Sequence, residues 1–571
     1  MQSMGARMTS DRARAAHCAS ACVALLLASL AAGAAPADPP ATAAAVAAPD
    51  RYGADTAAAI LASGGNAVDA AVAVAFTLAV TYPGAGNLGG GGFATVWFHG
   101  KPCFLDYRER APAAARADMY LDARGEVIPD ASTVGAGAAA VPGTVAGLAE
   151  LHRRFGHLPW GTDLAPAIRL AHAGFTVSPL LAEARDERAR ELRGRTNFSA
   201  YFGTLAAGAT FRQHELEATL RRIADLGPDD FYSGQTARLI VAEMARSHGY
   251  IAASDLKAYK PVWRAPLEAD WAGYQVITAP PPSSGGIGLV SLLAMKADLG
   301  DAFAGVPRNS AQYVHLLAEI EKRVFADRAE YLGDPDFTRI PVAGLLDPAY
   351  LARRAHEARG GAPTATAAVQ PGLEHHDTTH FSIVDRNGNA VSNTFTLNDD
   401  FGSGAVVAGA GFLLNNEMDD FSAKPGAPNI YGVVGGAANA IAPGKTPLST
   451  MTPTILTREG RVALVIGTPG GSRIVTSVFQ VLTDWHDFHM SLGDAVAAPR
   501  IHHQLLPSDT LFEEPYAGLE PAVRAALTAR GYRIVNQGWN GDIEAIEIGA
   551  AGTVAVSDPR ASGVARVLAP H

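Results

Sequence analysis

Between residues 56 and 86 the chain reads TAAAILASGGNAVDAAVAVAFTLAVTYPGAG, a dense apolar pattern broken at Gly64 and Gly65 that predicts two helices. Alanine and glycine at their contact faces allow the helices to pack closely. Residues 143–333 alternate helical patterns with loops, and LAEIEKRVFADRAEYLG at 317–333 carries apolar residues at helical spacing. Past about residue 376 the texture changes to short alternating strands: THFSIVD, AVSNTFTLN, GFLLNN, ALVIGTPGG and EAIEIG. Helices return between Ile474 and Pro499 and between Pro521 and Arg530. Strands interleaved with helices in this order predict an α+β body, in the layered form αββα. No period of about 20 to 50 residues recurs, which excludes solenoids and propellers.

The segment from His375 to Asn398 reads as a β-hairpin closed by Arg386, Asn387 and Gly388. A three-residue loop with glycine in the left-handed position pairs Asp385 with Asn389. In that register Thr378 faces Thr396, and alternation puts Thr394, Thr396 and Asn398 on one face. Taken alone, such a hairpin is equally well an edge element whose threonines satisfy β-propensity.

Composition narrows the function classes. Hydrophobic residues make up 48% and charged residues 18% of the 571 residues, so disordered, coiled-coil and collagen-like classes are out. A net charge of −10 with no long Lys/Arg block argues against a nucleic-acid partner. Glycine excess clustered in tight runs points to sites lined by backbone.

Arg7, Arg12 and Arg14 precede the apolar run 21–32 and the small-residue stretch AGAA at 32–35, the layout of a secretory signal peptide over residues 1–35. The run is short of the roughly 20 residues that span a bilayer, so an exported protein, periplasmic or secreted and without a stable membrane span, is expected. Residues 36–51, rich in Pro and Ala, read as a flexible leader. Cys18 and Cys22 fall inside the signal, which leaves Cys103 unable to form an internal disulfide.

Several motifs carry no chemistry on inspection. GNLGGGGF at 86–93 lacks the Lys-Ser/Thr of a P-loop and the GxGxxG spacing. The pairs His375/His376 and His502/His503 have no partners at zinc-ligand spacing, so no metal is expected. PPPSSGGIG at 280–288 is not a GxSxG elbow and is read as structural.

DTTHFSIVD, TFTLN, NNEMDDFSAKPG, PLSTMTPT and GTPGGSR, with GNAVDAAVA, GNLGGGGF and DYRERAP upstream, resemble in order the motifs of the γ-glutamyltranspeptidase family, from about residue 52 to 560. The resemblance implies an N-terminal-nucleophile hydrolase fold and a precursor that cuts itself between Asp377 and Thr378. A large subunit of residues 52–377 and a small subunit of residues 378–571 would result. Thr378 would then be the nucleophile, with its own freed α-amine as general base. Thr396 would orient its hydroxyl, and Gly470 and Gly471 would supply backbone N–H groups to an oxyanion hole.

The same resemblance assigns Arg108 to the α-carboxylate of a γ-glutamyl donor, joined by the hydroxyls of Ser449 and Thr450. Asp420 is assigned to the α-ammonium, with Glu417 and Asn398 alongside, and Tyr431 to a lid over the glutamyl group. Glutathione and other γ-glutamyl compounds are the implied donors, water and amino acid or dipeptide amines the acceptors, with no cofactor. Thr450, Asp399, Asp400 and Glu544 depart from the family's usual pattern, and the two aspartates imply a negative rim that disfavours anionic acceptors. A cephalosporin or glutaryl acylase of the same fold and an inactive amino-acid- or peptide-binding protein are the alternatives.

Overall fold

The computed structural model describes residues 42–365, 379–424, 436–536 and 541–569. The hairpin forms from Thr379–Val384 and Ala390–Thr396, antiparallel and in the expected register, with Val384 opposite Ala390 and Thr379 opposite Phe395. Its turn closes as the residue types require: the Asp385 N–H donates to Asn389 O at 3.0 Å and Gly388 has a φ of 74°. The Asp385 carboxylate accepts from the N–H groups of Asn387 at 2.9 Å, Asn389 at 3.0 Å and Ala67 at 3.1 Å, which pins the turn to the N-terminus of the Ala67–Thr81 helix.

Around this hairpin runs a seven-stranded antiparallel sheet in the order Val564–Val567, Ala45–Ala48, Thr379–Val384, Ala390–Thr396, Gly91–Phe98, Lys101–Asp106 and Val262–Arg264. A second antiparallel sheet runs Gly552–Ser557, Glu544–Gly549, Arg461–Gly467, Thr454–Arg458, Tyr274–Thr278, Leu267–Trp271. Strand alternation sorts the side chains into layers. Val46, Phe381, Ile383, Val391 and Phe395 pack against the Arg51–Ala62 and Ala67–Thr81 helices. Ala45, Ala47, Val384 and Ala390 face inward to Ile277, Ile455, Val465 and Ile546 of the second sheet. That sheet turns Val276, Leu456, Leu464 and Ile466 to the Gly285–Asp298, Ala311–Tyr331 and Arg473–Asp487 helices. The result is αββα, as expected. Ser382 Oγ donates to Glu544 O at 2.8 Å and Ser392 Oγ to Ile466 O at 3.1 Å, so the polar residues of the inner face stitch the sheets together.

The expectation of a flexible leader over residues 36–51 is corrected from residue 42 onward. Ala45–Ala48 is a fully buried strand between Val564–Val567 and Thr379–Val384, and Asp50 caps the next helix by accepting from the Gly53 N–H. Sandwiched between neighbours on both edges and both faces, this strand is built from three alanines and one valine. The GFLLNN stretch makes only isolated bridges at Leu413 and Leu414. The strands Val262–Arg264, Leu267–Trp271 and Tyr274–Thr278 lie inside the half that reads as helical. Residues 1–41, with the expected signal peptide, lie outside the described residues. Among the described residues no helix is long and apolar enough to cross a membrane.

The glycine run 89–92 is explained by closeness of approach. A Cβ on Gly89 would lie 2.1 Å from Leu413 O, on Gly90 1.9 Å from Thr396 O, on Gly91 2.6 Å from Tyr107 O and on Gly92 2.4 Å from Thr394 O. Glycine is required because backbone presses on backbone at the end of the hairpin.

Candidate active site

The site grows from the Thr396 end of the hairpin. Beyond Thr396 the chain bends sharply at Asn398, whose φ is 83°, and the Asn398 N–H folds back to donate to Thr396 Oγ1 at 2.8 Å. Asn87 Nδ2 holds Thr396 O at 2.9 Å, while Asn398 Nδ2 donates to Asn416 O at 3.0 Å. The last bond brings the 415–420 loop alongside.

That loop meets Arg108, which is 2% exposed. Arg108 follows the strand Lys101–Asp106, and its backbone is fixed by its own N–H donating to Asp106 Oδ1 at 3.0 Å and by Tyr259 Oη donating to Arg108 O at 2.8 Å. Its guanidinium bonds Asp420 Oδ2 and lies 2.6 Å from Glu417 Oε1 and 3.5 Å from Glu109 Oε2. Burial works against the guanidinium charge, yet the carboxylates of Glu417, Glu109 and Asp420 outweigh it and hold Arg108 firmly protonated. One cation cannot hold three buried carboxylates ionised. Burial pushes Glu109 up to about 8 despite Arg108, and raises Glu417 well above the carboxylate range.

Asp420 is tied to the next segment by Asn439, which donates from Nδ2 to Asp420 O at 2.7 Å and accepts at Oδ1 from the Leu448 N–H at 3.1 Å. Ser449 and Thr450 follow, both buried. Ser449 Oγ accepts from the Met451 N–H at 3.2 Å, and Thr450 Oγ1 donates to Gly471 O at 3.0 Å. Gly470 and Gly471 have φ of 126° and 61°, in the region where glycine is at ease. Their carbonyls accept from the N–H groups of Arg473 and Ile474 at 3.1 and 3.0 Å, which leaves the pair immediately before the Arg473–Asp487 helix, where its dipole favours negative charge.

The structure therefore joins Arg108, Glu417, Asp420, Asn398 and Thr396 through the 396–420 turn, and Ser449, Thr450, Gly470 and Gly471 through two further bonds. Asp377, Thr378 and Tyr431 lie outside the described residues. The expected negative rim is met by a cation: Asp399 Oδ2 lies 3.1 Å from Arg188. Glu544 is buried, its Oε1 accepting from Ser557 Oγ at 2.7 Å, and burial raises its pKa well above the usual carboxylate range.

Three groups escaped the sequence reading. Glu109 stands in DYRERAP beside Arg108. His380 is buried with Nδ1 2.8 Å from Thr394 Oγ1, and burial takes its pKa down to about 3, so the ring is neutral. Arg328 is buried in the Ala311–Tyr331 helix, one turn on from Val324 and so on its apolar stripe, a sequence signal that was available. Two clusters of possible metal ligands, His172/His214/Glu217 and Asp69/His152/Asp163, share no residue with this site.

Two sheets stacked between helix layers, with a buried ion-paired pocket at the end of an inner-sheet hairpin, define an N-terminal-nucleophile hydrolase. The Gamma-glutamyltranspeptidase family model matches residues 53–568, and the chain belongs to that family. A glutathione hydrolase proenzyme of Pseudomonas aeruginosa is 60% identical over 527 residues, covering 92% of this chain and 95% of the relative. A γ-glutamyltranspeptidase from Pseudomonas nitroreducens, solved in complex with L-DON, is 57% identical with a TM-score of 0.56 over 57% of this chain and 97% of that one. A cephalosporin acylase from Bacillus halodurans is 29% identical with a TM-score of 0.81, over 93% of this chain and 97% of that one.

Proposed function

We propose that this chain is a γ-glutamyltransferase and glutathione hydrolase, made as a precursor that severs its own peptide bond between Asp377 and Thr378. The observation that carries this reading is the Arg108–Asp420 pair: a buried cation and anion side by side, the complement of an amino acid head group. A donor's α-carboxylate takes Arg108 and its α-ammonium takes Asp420, so two charge-assisted contacts replace the one between the side chains. The hydroxyls of Ser449 and Thr450 add to the carboxylate contact, and Asn398 and Glu417 close the ammonium side.

Chemistry follows from a free amine at residue 378. The α-amine removes the proton of the Thr378 hydroxyl, whose oxygen attacks the γ-carbonyl carbon. Negative charge gathers on the carbonyl oxygen, where the N–H groups of Gly470 and Gly471 receive it. Collapse expels the amine, which takes the proton held by the protonated Thr378 amine, and leaves a γ-glutamyl ester on Thr378. Water releases glutamate, and an amino acid or dipeptide amine takes the group instead. Thr396 would face Thr378 as the next pair of the hairpin register and orient its hydroxyl. Tyr431 would cover the bound glutamyl group.

In this reading residues 1–35 export the precursor to the periplasm or medium, and residues 52–377 and 378–571 form the two subunits. A glutaryl acylase is the weaker reading because its substrate has no ammonium for Asp420. Intact mass and gel analysis of wild type beside Thr378→Ala tests the proposal, followed by amine release from a γ-glutamyl anilide. The wild type should yield a lighter chain beginning TTHFS and release amine, and Thr378→Ala should do neither. An uncut, inactive wild type refutes the proposal.

A further inference from the structure

The 280–288 loop, in which the sequence shows no chemistry, lies against the segment that carries Ser449 and Thr450. Ser284 donates to Ser449 O twice, from its N–H at 2.7 Å and from Oγ at 2.8 Å, and Ser449 N–H donates to Pro282 O at 2.9 Å. Ser283 Oγ donates to Met451 O at 2.7 Å. The approach is so close that a Cβ on Gly285 would stand 2.2 Å from Thr452 Oγ1 and 2.6 Å from Thr450 O.

The anchor behind the loop is Arg328. Its Nε donates to Ser284 Oγ at 3.0 Å, so the Ser284 hydroxyl accepts from the guanidinium and passes its own proton to Ser449 O. A cavity of about 20 Å³, bounded by Ser284, Ser291, Arg328 and Thr450 among others, adjoins this relay and has room for about one water. Burial lowers the Arg328 pKa to about 9, and the charge of Asp420 works against that lowering. Arg328 therefore reaches the backbone of the Ser449/Thr450 segment through Ser284.

Resting on the reading of the donor pocket above, we infer that Arg328 is a positioning residue for the donor's α-carboxylate, fixing through Ser284 the backbone that carries the Ser449 and Thr450 hydroxyls. The guanidinium offers its Nε–H to Ser284 in a fixed plane, a geometry that a lysine's point charge does not reproduce.

The test is steady-state kinetics of wild type, Arg328→Lys and Ser284→Ala on two donors, a γ-glutamyl anilide and its α-methyl ester, which lacks the carboxylate charge. Arg328→Lys should raise KM for the free-carboxylate donor by about tenfold or more, the loss of roughly one charge-assisted hydrogen bond. Its kcat should move far less, and KM for the ester should stay near the wild-type value. Ser284→Ala, which keeps the guanidinium, should act in the same direction more weakly and carries the test if Arg328→Lys does not fold. Equal changes on both donors, or no change on either, overturn the inference. A wild type that is itself uncut and inactive overturns the donor-pocket reading instead, a result that none of the variants can mimic.

Discussion

Replacing Gly90 by alanine perturbs the end of the hairpin without removing any polar group. The new Cβ would stand 1.9 Å from Thr396 O and 2.6 Å from Asn87 Oδ1. Carbon and oxygen do not approach within about 3 Å, so Gly90 and Thr396 must separate by ~1 Å. Gly90 cannot retreat freely: its carbonyl accepts from the N–H groups of Gly143 and Thr144 at 2.8 and 3.0 Å, and its own N–H donates to Asn87 Oδ1 at 2.9 Å. The displacement therefore falls largely on Thr396. Overpacking of this kind costs about 1–3 kcal/mol of stability, and a misplacement of about 1 Å in a group that orients a nucleophile costs roughly 100-fold in rate. Conversion of precursor to two chains, followed on gels over time, should slow by about that factor, with amine release reduced in parallel. Gly161→Ala is the control: it lies exposed in the first turn of the Trp160–Ala173 helix with nothing within 4 Å of its Cβ, and should process like wild type. If Gly90→Ala is cut and active at the wild-type rate, Thr396 is not held by backbone contact and its proposed role fails.

Two further outcomes are expected. Asp420→Asn removes the anion proposed to meet the donor ammonium, and should raise KM for a γ-glutamyl anilide by roughly 10- to 150-fold, the worth of about 1.5–3 kcal/mol. KM for the glutaryl analogue should change little, and equal effects would favour the acylase reading. Asp163 is buried, neither carboxylate oxygen has a hydrogen-bond partner among the described residues, and burial, then the charge of Asp69, pushes its pKa up to about 8. The folded protein then holds a proton that the unfolded chain has released, so this group lowers stability as pH rises from about 4 to about 8. Asp163→Asn should melt higher than wild type at pH 8 and level with it at pH 4; parallel melting curves across that range would contradict this.

The hairpin was legible because its signals are local: Asn387 and Gly388 fix the turn, the turn fixes the register, and alternation puts Thr394 and Thr396 on one face. Residues 45–48 were not, since alanine has no strand preference and only the neighbours on either side make it one. Arg108 lies more than 300 residues before Glu417 and Asp420, and motif resemblance linked them where no periodicity could. The glycine run 89–92 was set aside as a phosphate cradle from its sequence, but why glycine is needed there became clear only from the carbonyls pressed against it. Arg328 was given no role in the sequence reading, although its position one turn on from Val324 put it on the apolar stripe of its helix.

Strands from before and after residue 377 pair edge to edge in both sheets: Ala45–Ala48 lies between Val564–Val567 and Thr379–Val384, and Tyr274–Thr278 beside Thr454–Arg458. A covalent chain can lay down such a weave because its segments stay at high local concentration until they pair. Once the link is severed, the two polypeptides hold each other by shared edges, and melting them apart discards the tether that guided assembly. The lifetime of the mature enzyme is then governed by how rarely it opens, a barrier rather than an equilibrium, and proteolytic maturation makes folding a one-time event.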